Sequence, residues 1–139
     1  MSKVSGMVDE SLQEWLTGFN LHESLRHHVW DVLLTLPQAV RADLVEDPAF
    51  HLGDYEPGRA FQVRVNLPAA RSVSRSVILK RSLRDRPPEF VRWVIAHELA
   101  HAHLRNAGRY PGEDPENAAD ALAAEWGHPR PQDWRRLFR

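Results

Sequence analysis

Cysteine is absent from all 139 residues. No disulfide can brace the fold and no thiolate can hold a metal, so a bound transition metal would have to rest on imidazole and carboxylate groups. Long apolar runs are missing as well. No stretch approaches the ~18 residues of a membrane span, and Lys3 is not followed by the apolar run of about seven or more residues that a secretory leader needs. Internal repeats and low-complexity tracts are also lacking. With 42% hydrophobic residues, the chain reads as one globular domain over 1–139 with a real core, and a soluble cytoplasmic protein is the default expectation.

The net charge of −1 conceals an uneven distribution. Residues 1–58 carry 3 basic and 10 acidic side chains, residues 59–92 carry 9 and 2, and residues 93–139 carry 6 and 7. A basic middle block fits an anionic partner such as nucleic acid. It equally fits acidic N-terminal helices that pack beside it and neutralise its field. No nucleic-acid motif accompanies the charge, which favours the second reading.

Val8, Leu12, Trp15, Leu16 and Phe19 recur at helical spacing, predicting a helix over about 8–19 that closes near Gly18 and Asn20. Asn20, with Glu23 three residues on, predicts a capped second helix whose buried stripe is Leu21, Leu25, Val29, Val32, Leu33 and Leu36, stopped by Pro37. A third helix at about 38–46 presents Val40, Leu44 and Val45, and Trp15 and Trp30 read as core aromatics. The period then changes to two. Phe61, Val63, Val65 and Leu67 alternate with polar residues after the turn Glu56-Pro57-Gly58, and a second strand is expected at about 73–80 across the connection 68–71. A third strand is expected near Phe50 to Tyr55. Asp85 or Arg86 would cap a helix over about 87–107 with Pro87 and Pro88 in its first turn. Asp114-Pro115-Glu116 opens a last helix that Gly127 closes, leaving residues 128–139 as an irregular surface tail.

The most informative string is His97-Glu98-Leu99-Ala100-His101. On a helix, positions i and i+4 share a face, so both imidazoles can reach one ion while Glu98 leans over a water. The apolar or small flanks Val94, Ile95, Ala96, Leu99, Ala100, Ala102 and Leu104 suit a helix buried on most of its circumference, where two His and a Glu need partners. A catalytic zinc takes three protein ligands and keeps one open position. Fourteen residues separate His101 from Glu116, enough to turn at Gly108–Gly112 and bring a second helix back with Glu116 as third ligand, although a first-turn acid also serves the helix dipole. Asp120, one turn on, is a candidate partner for the second ring N–H of His97, or else an exposed helix acid. Alanines at 118, 119, 121, 123 and 124 would let the two helices approach closely. Tyr110 and His128 are candidate oxyanion donors. His103 faces elsewhere on the helix, and His22, His27, His28 and His51 have no motif around them.

The pair His97-Glu98-Leu99-Ala100-His101 and Glu116-x-x-x-Asp120 resembles the gluzincin arrangement. Val77-Ile78-Leu79, the helix into Ile95-Ala96-His97, and Glu116-x-x-Ala119-Asp120-x-x-Ala123 are similar to the minimal zincin core of the ImmA/IrrE-type metallopeptidases, over about residues 75–127. Leu104 and Ala107 stand where metzincins have a glycine and a third histidine. The resemblance implies Zn²⁺ on His97, His101 and Glu116, Glu98 as general base and proton shuttle, and hydrolysis of a peptide or protein substrate. The expected fold class is α+β, with N-terminal helices and a small, mainly antiparallel sheet packed on a two-helix metal core. Two rival functions are a catalytically silent zincin-like regulatory module and a nucleic-acid binder with a structural metal.

Overall fold

A computed structural model of the chain describes residues 2–56, 75–107 and 115–137. In chain order they form α1 (Ser2–Thr17), α2 (Glu23–Thr35), α3 (Gln38–Val45), β1 (Phe50–Tyr55), β2 (Arg75–Lys80), a 3₁₀ turn (Arg81–Asp85), α4 (Pro88–Ala107), α5 (Pro115–Glu125) and a short α6 (Trp134–Leu137). The architecture is thus mixed helix and strand, with helices predominating.

α1 starts at Ser2, well before the expected position near 8. Apolar periodicity marks only the turns that must be buried, here those carrying Leu12 and Leu16, and a formed helix extends by one hydrogen bond per added residue. α2 is capped by His22 and not by Asn20. Leu21 turns into the core, which leaves His22 at the helix entrance, where its Nδ1 accepts the Ser24 N–H at 3.0 Å. The His22 N–H in turn donates to Asp54 Oδ2 at 2.6 Å, tying the start of α2 to β1. The expected α2 stripe is buried throughout, and Val40 and Leu44 of α3 join the same core. Trp15 stacks on Phe50 with ring centroids 5.6 Å apart, so the α1 aromatic packs on the sheet.

The described sheet corrects the antiparallel expectation. β1 and β2 pair in parallel, with Phe50 opposite Arg75 and Tyr55 opposite Lys80. Residues 56–74 lie between them, more than the dozen residues that a parallel crossover requires. The strand expected at 61–67 and the connection at 68–71 lie outside the described residues. Alternation survives in β2, where Arg75, Val77 and Leu79 are buried between less buried neighbours.

Pro88 opens α4, and the Pro87 carbonyl accepts from the N–H groups of both Phe90 and Val91 at 3.0 Å. The 3₁₀ turn ahead of it carries no apolar periodicity that could announce it. α4 then runs through the middle of the molecule, against α2, α3, β2 and α5. Phe90, Val91, Ile95, Ala96, Leu99 and Ala100 are all buried in one hydrophobic cluster extending from Leu12 to Trp126. Each large side chain fully withdrawn from water contributes about 1.5–3 kcal/mol, so α4 is held on several sides at once. No helix among the described residues is long and apolar enough to cross a membrane.

Arg75 fastens β2 to this arrangement. Only 1% exposed, it donates through Nε to Asp47 Oδ2 at 2.8 Å and through Nη1 to Asp43 Oδ2 at 2.8 Å and the Ala102 carbonyl at 3.0 Å, while Nη2 reaches the Asp43 carbonyl at 2.9 Å. Asp47 lies below its ordinary value, held there first by the Ala49 N–H and then by Arg75 against the opposing effect of burial. Arg81 pairs with Asp54 and Glu56, and Arg92 with Asp31. Three arginines of the basic block thus meet acids from the N-terminal part of the chain.

Candidate metal centre

Helical spacing alone brings His97 and His101 together, since both stand on one face of α4. Their rings meet edge to face at 4.7 Å, and the two Nε2 atoms are 3.1 Å apart. The third group comes from α5. Ala118, Ala119 and Ala123 are buried against a helix whose own Ala96 and Ala100 are fully buried, so the two backbones approach with little side chain between them. Ala121 and Ala124 face outward. This approach delivers Glu116, in the first turn of α5, to the histidine pair: Oε1 lies 2.9 Å from His97 Nε2 and Oε2 3.1 Å from His101 Nε2.

These atoms suit a divalent ion by their chemistry. Asp120 Oδ1 stands 2.7 Å from His97 Nδ1, and because a carboxylate can only accept, the ring proton sits on Nδ1. In the neutral ring, Nε2 is then a lone pair directed at a carboxylate oxygen and a second imidazole nitrogen. Such electron-pair donors, 2.9–3.1 Å apart, need a cation or protons among them. Tetrahedral zinc with ligand distances near 2.1 Å places its ligands about 3.4 Å from one another, so a small outward shift of these groups would admit the ion. Among the described residues His97, His101 and Glu116 form the one group of this kind. The histidine side chains are 13% and 15% exposed and Glu116 71%, which leaves the cluster open to water on one side. Partial burial pulls the Glu116 carboxyl upward, but the nearness of the His97 and His101 rings outweighs it and holds the group below its ordinary value.

Glu98 is half-buried, and no hydrogen bond or ion pair engages its carboxylate among the described residues. His103 turns away from the cluster and bonds through Nδ1 to Asp43 Oδ2 at 2.8 Å, joining the Arg75 network. Tyr110 lies outside the described residues. His128 is engaged with α2. Thr35 spends its hydroxyl proton on the Val32 carbonyl at 2.6 Å, so His128 Nε2–H is the donor in the 2.9 Å bond between the two side chains. Burial, and after it the charge of Arg92, pushes His128 below its ordinary value, which keeps that ring neutral.

The surroundings of Asp120 add residues that the sequence pattern did not bring forward. Trp93 Nε1–H donates to the same Oδ1 at 2.9 Å, and Arg130 Nη1 lies 3.4 Å from Oδ2. Trp93 precedes His97 by four residues, so helical spacing already puts it beside the site. Arg130 and Trp134 belong to the tail expected to be irregular surface, yet Trp134 packs on Trp93 with centroids 5.8 Å apart. An apolar residue in a charged tail was the available signal. No protein-family model matches the chain, and neither a curated protein nor a solved structure matches it, so the assignment of this centre stands on the residues themselves.

Proposed function

We propose that this protein is a zinc-dependent peptide hydrolase of gluzincin type, with His97, His101 and Glu116 as metal ligands and Glu98 as general base. The observation that carries the proposal is the convergence of two Nε2 atoms and one carboxylate, from two separate helices, within 2.9–3.1 Å. A purely structural cluster would have little reason to bring three acceptor-rich groups together at a water-accessible rim. The Glu98 carboxylate, next to the first ligand and without a partner among the described residues, remains available for proton transfer.

When bound, a divalent ion at these atoms acidifies water and polarises a carbonyl oxygen. Glu98 takes the proton of the attacking water as its oxygen bonds to the carbonyl carbon. It then passes that proton to the amide nitrogen as the carbon–nitrogen bond breaks, so the carboxylate returns to its starting state. Asp120 keeps the His97 proton on Nδ1 and thereby keeps Nε2 turned to the ion. The substrate class is a peptide or unfolded protein segment.

Tag-free protein should contain about one zinc per chain. Glu116→Ala should lose that zinc, whereas Glu98→Gln should retain it and abolish cleavage of a fluorescence-quenched peptide library. Undiminished zinc in Glu116→Ala refutes the ligand set, and full cleavage by Glu98→Gln refutes the base. Zinc uptake with no cleavage by the wild-type chain would replace the hydrolase with the silent module.

A further inference from the structure

Gly127 adopts φ +98° after α5, and the His128 N–H donates to the Ala123 carbonyl at 2.8 Å while the Gly127 N–H donates to that of Ala124. This helix termination reverses the chain and sends residues 128–137 back across the metal-site helices. There Arg130 stands between two groups. Its Nη1 is 3.4 Å from Asp120 Oδ2, and its guanidinium carbon lies 5.0 Å from the centre of the Trp134 ring. Trp134 packs in turn on Trp93, which is 4% exposed and whose indole N–H shares Asp120 Oδ1 with His97. One carboxylate is therefore held by three groups, the Trp93 indole and the His97 ring of α4 and Arg130 of the returning tail.

We propose that the segment from Arg130 to Trp134 is a positioning clamp for the metal centre: through Asp120 and Trp93 it fixes the orientation and tautomer of His97, and so sets the affinity for the ion. The proposal rests on the ligand set proposed above. Arg130 acts on the Asp120 carboxylate from outside, and Trp134 restrains the indole that shares its other oxygen. The Arg130 pair is half exposed and its contribution modest, whereas loss of Trp134 frees Trp93 and Asp120 together.

The test combines zinc competition against a chromophoric chelator with long-range proton–nitrogen spectra of the histidine rings in metal-free protein. Arg130→Ala should weaken zinc about two- to fivefold, and Trp134→Ala about tenfold. Arg130→Lys and Trp134→Phe should recover most of the loss. In the metal-free spectra, His97 should be the Nδ1–H form in the wild type and a mixture in both alanine variants. If Trp134→Ala fails to fold by far-ultraviolet dichroism, Arg130→Ala decides. Wild-type zinc affinity together with an unchanged His97 tautomer in the folded alanine variants overturns the clamp. A wild-type chain that takes up no zinc overturns the ligand set instead, and a tautomer change on truncation would then still uphold the tail's control of His97.

Discussion

Asp120 offers a sharp separation of charge, geometry and fold. Its Oδ1 accepts from both His97 Nδ1–H and Trp93 Nε1–H, and its Oδ2 faces Arg130. Asp120→Asn keeps an oxygen able to accept both bonds but removes the negative charge that makes the imidazole a better donor to a cation. Asp120→Ala removes the acceptor as well, so the His97 proton is free to move to Nε2, and the buried Trp93 N–H loses that acceptor. Loss of such an outer partner of a ligating histidine typically costs 10- to 100-fold in metal affinity. We expect the amide near the lower limit and the alanine near the upper, about 1.4 and about 2.7 kcal/mol. Metal-free stability should divide differently. The amide should unfold close to wild type, and the alanine should be weaker by about 1–3 kcal/mol through the loss of the acceptor that the indole N–H uses. Zinc competition at pH 7.5 and urea unfolding in chelator measure the two effects. An alanine variant that binds zinc within twofold of wild type would refute the role given to this carboxylate.

Arg75→Met should be severe. It takes the buried cation away from Asp43, Asp47 and the Ala102 carbonyl, an expected loss of about 3–5 kcal/mol, readable as a fall in Tm of roughly 10 °C or more; a change below about 1 kcal/mol would show the network to be dispensable. Gly127→Ala places a Cβ on a residue at φ +98° and should cost about 1–2 kcal/mol in thermal unfolding. An alanine variant as stable as wild type would contradict that conformation. His28 lies below its ordinary value, first because burial disfavours the imidazolium, with His27 and Arg92 adding to the effect and Asp31 opposing it. The unfolded chain therefore binds this proton as pH falls through about 6.5 while the folded chain resists it, so stability at this group is present at higher pH and lost on acidification. His28→Leu should remove part of that slope. Its stability relative to wild type should improve between pH 7.5 and 5, and parallel curves would exclude His28 as a source.

Much of this protein was legible before any coordinates. Apolar spacing located the three N-terminal helices because burial requires one face of each, and proline and glycine marked the ends of α4 and α5 through backbone constraints that hold in any context. The two imidazoles share a face for the same local reason. Other features depended on partners distant in the chain. Strand direction is not encoded in alternation, which reads the same parallel or antiparallel, so the β1–β2 pairing emerged only in the fold. His22 displaced Asn20 as cap because Leu21 had to enter the core. The clustering of Glu116 with the histidines, the partition of Asp120 between His97 and Trp93, the burial of Arg75 among Asp43 and Asp47, and the return of Trp134 onto Trp93 all join residues separated by 15 to 41 positions. Short-range propensity covers a turn or two of chain, and only the packing of α4 against its neighbours decides which distant side chains meet.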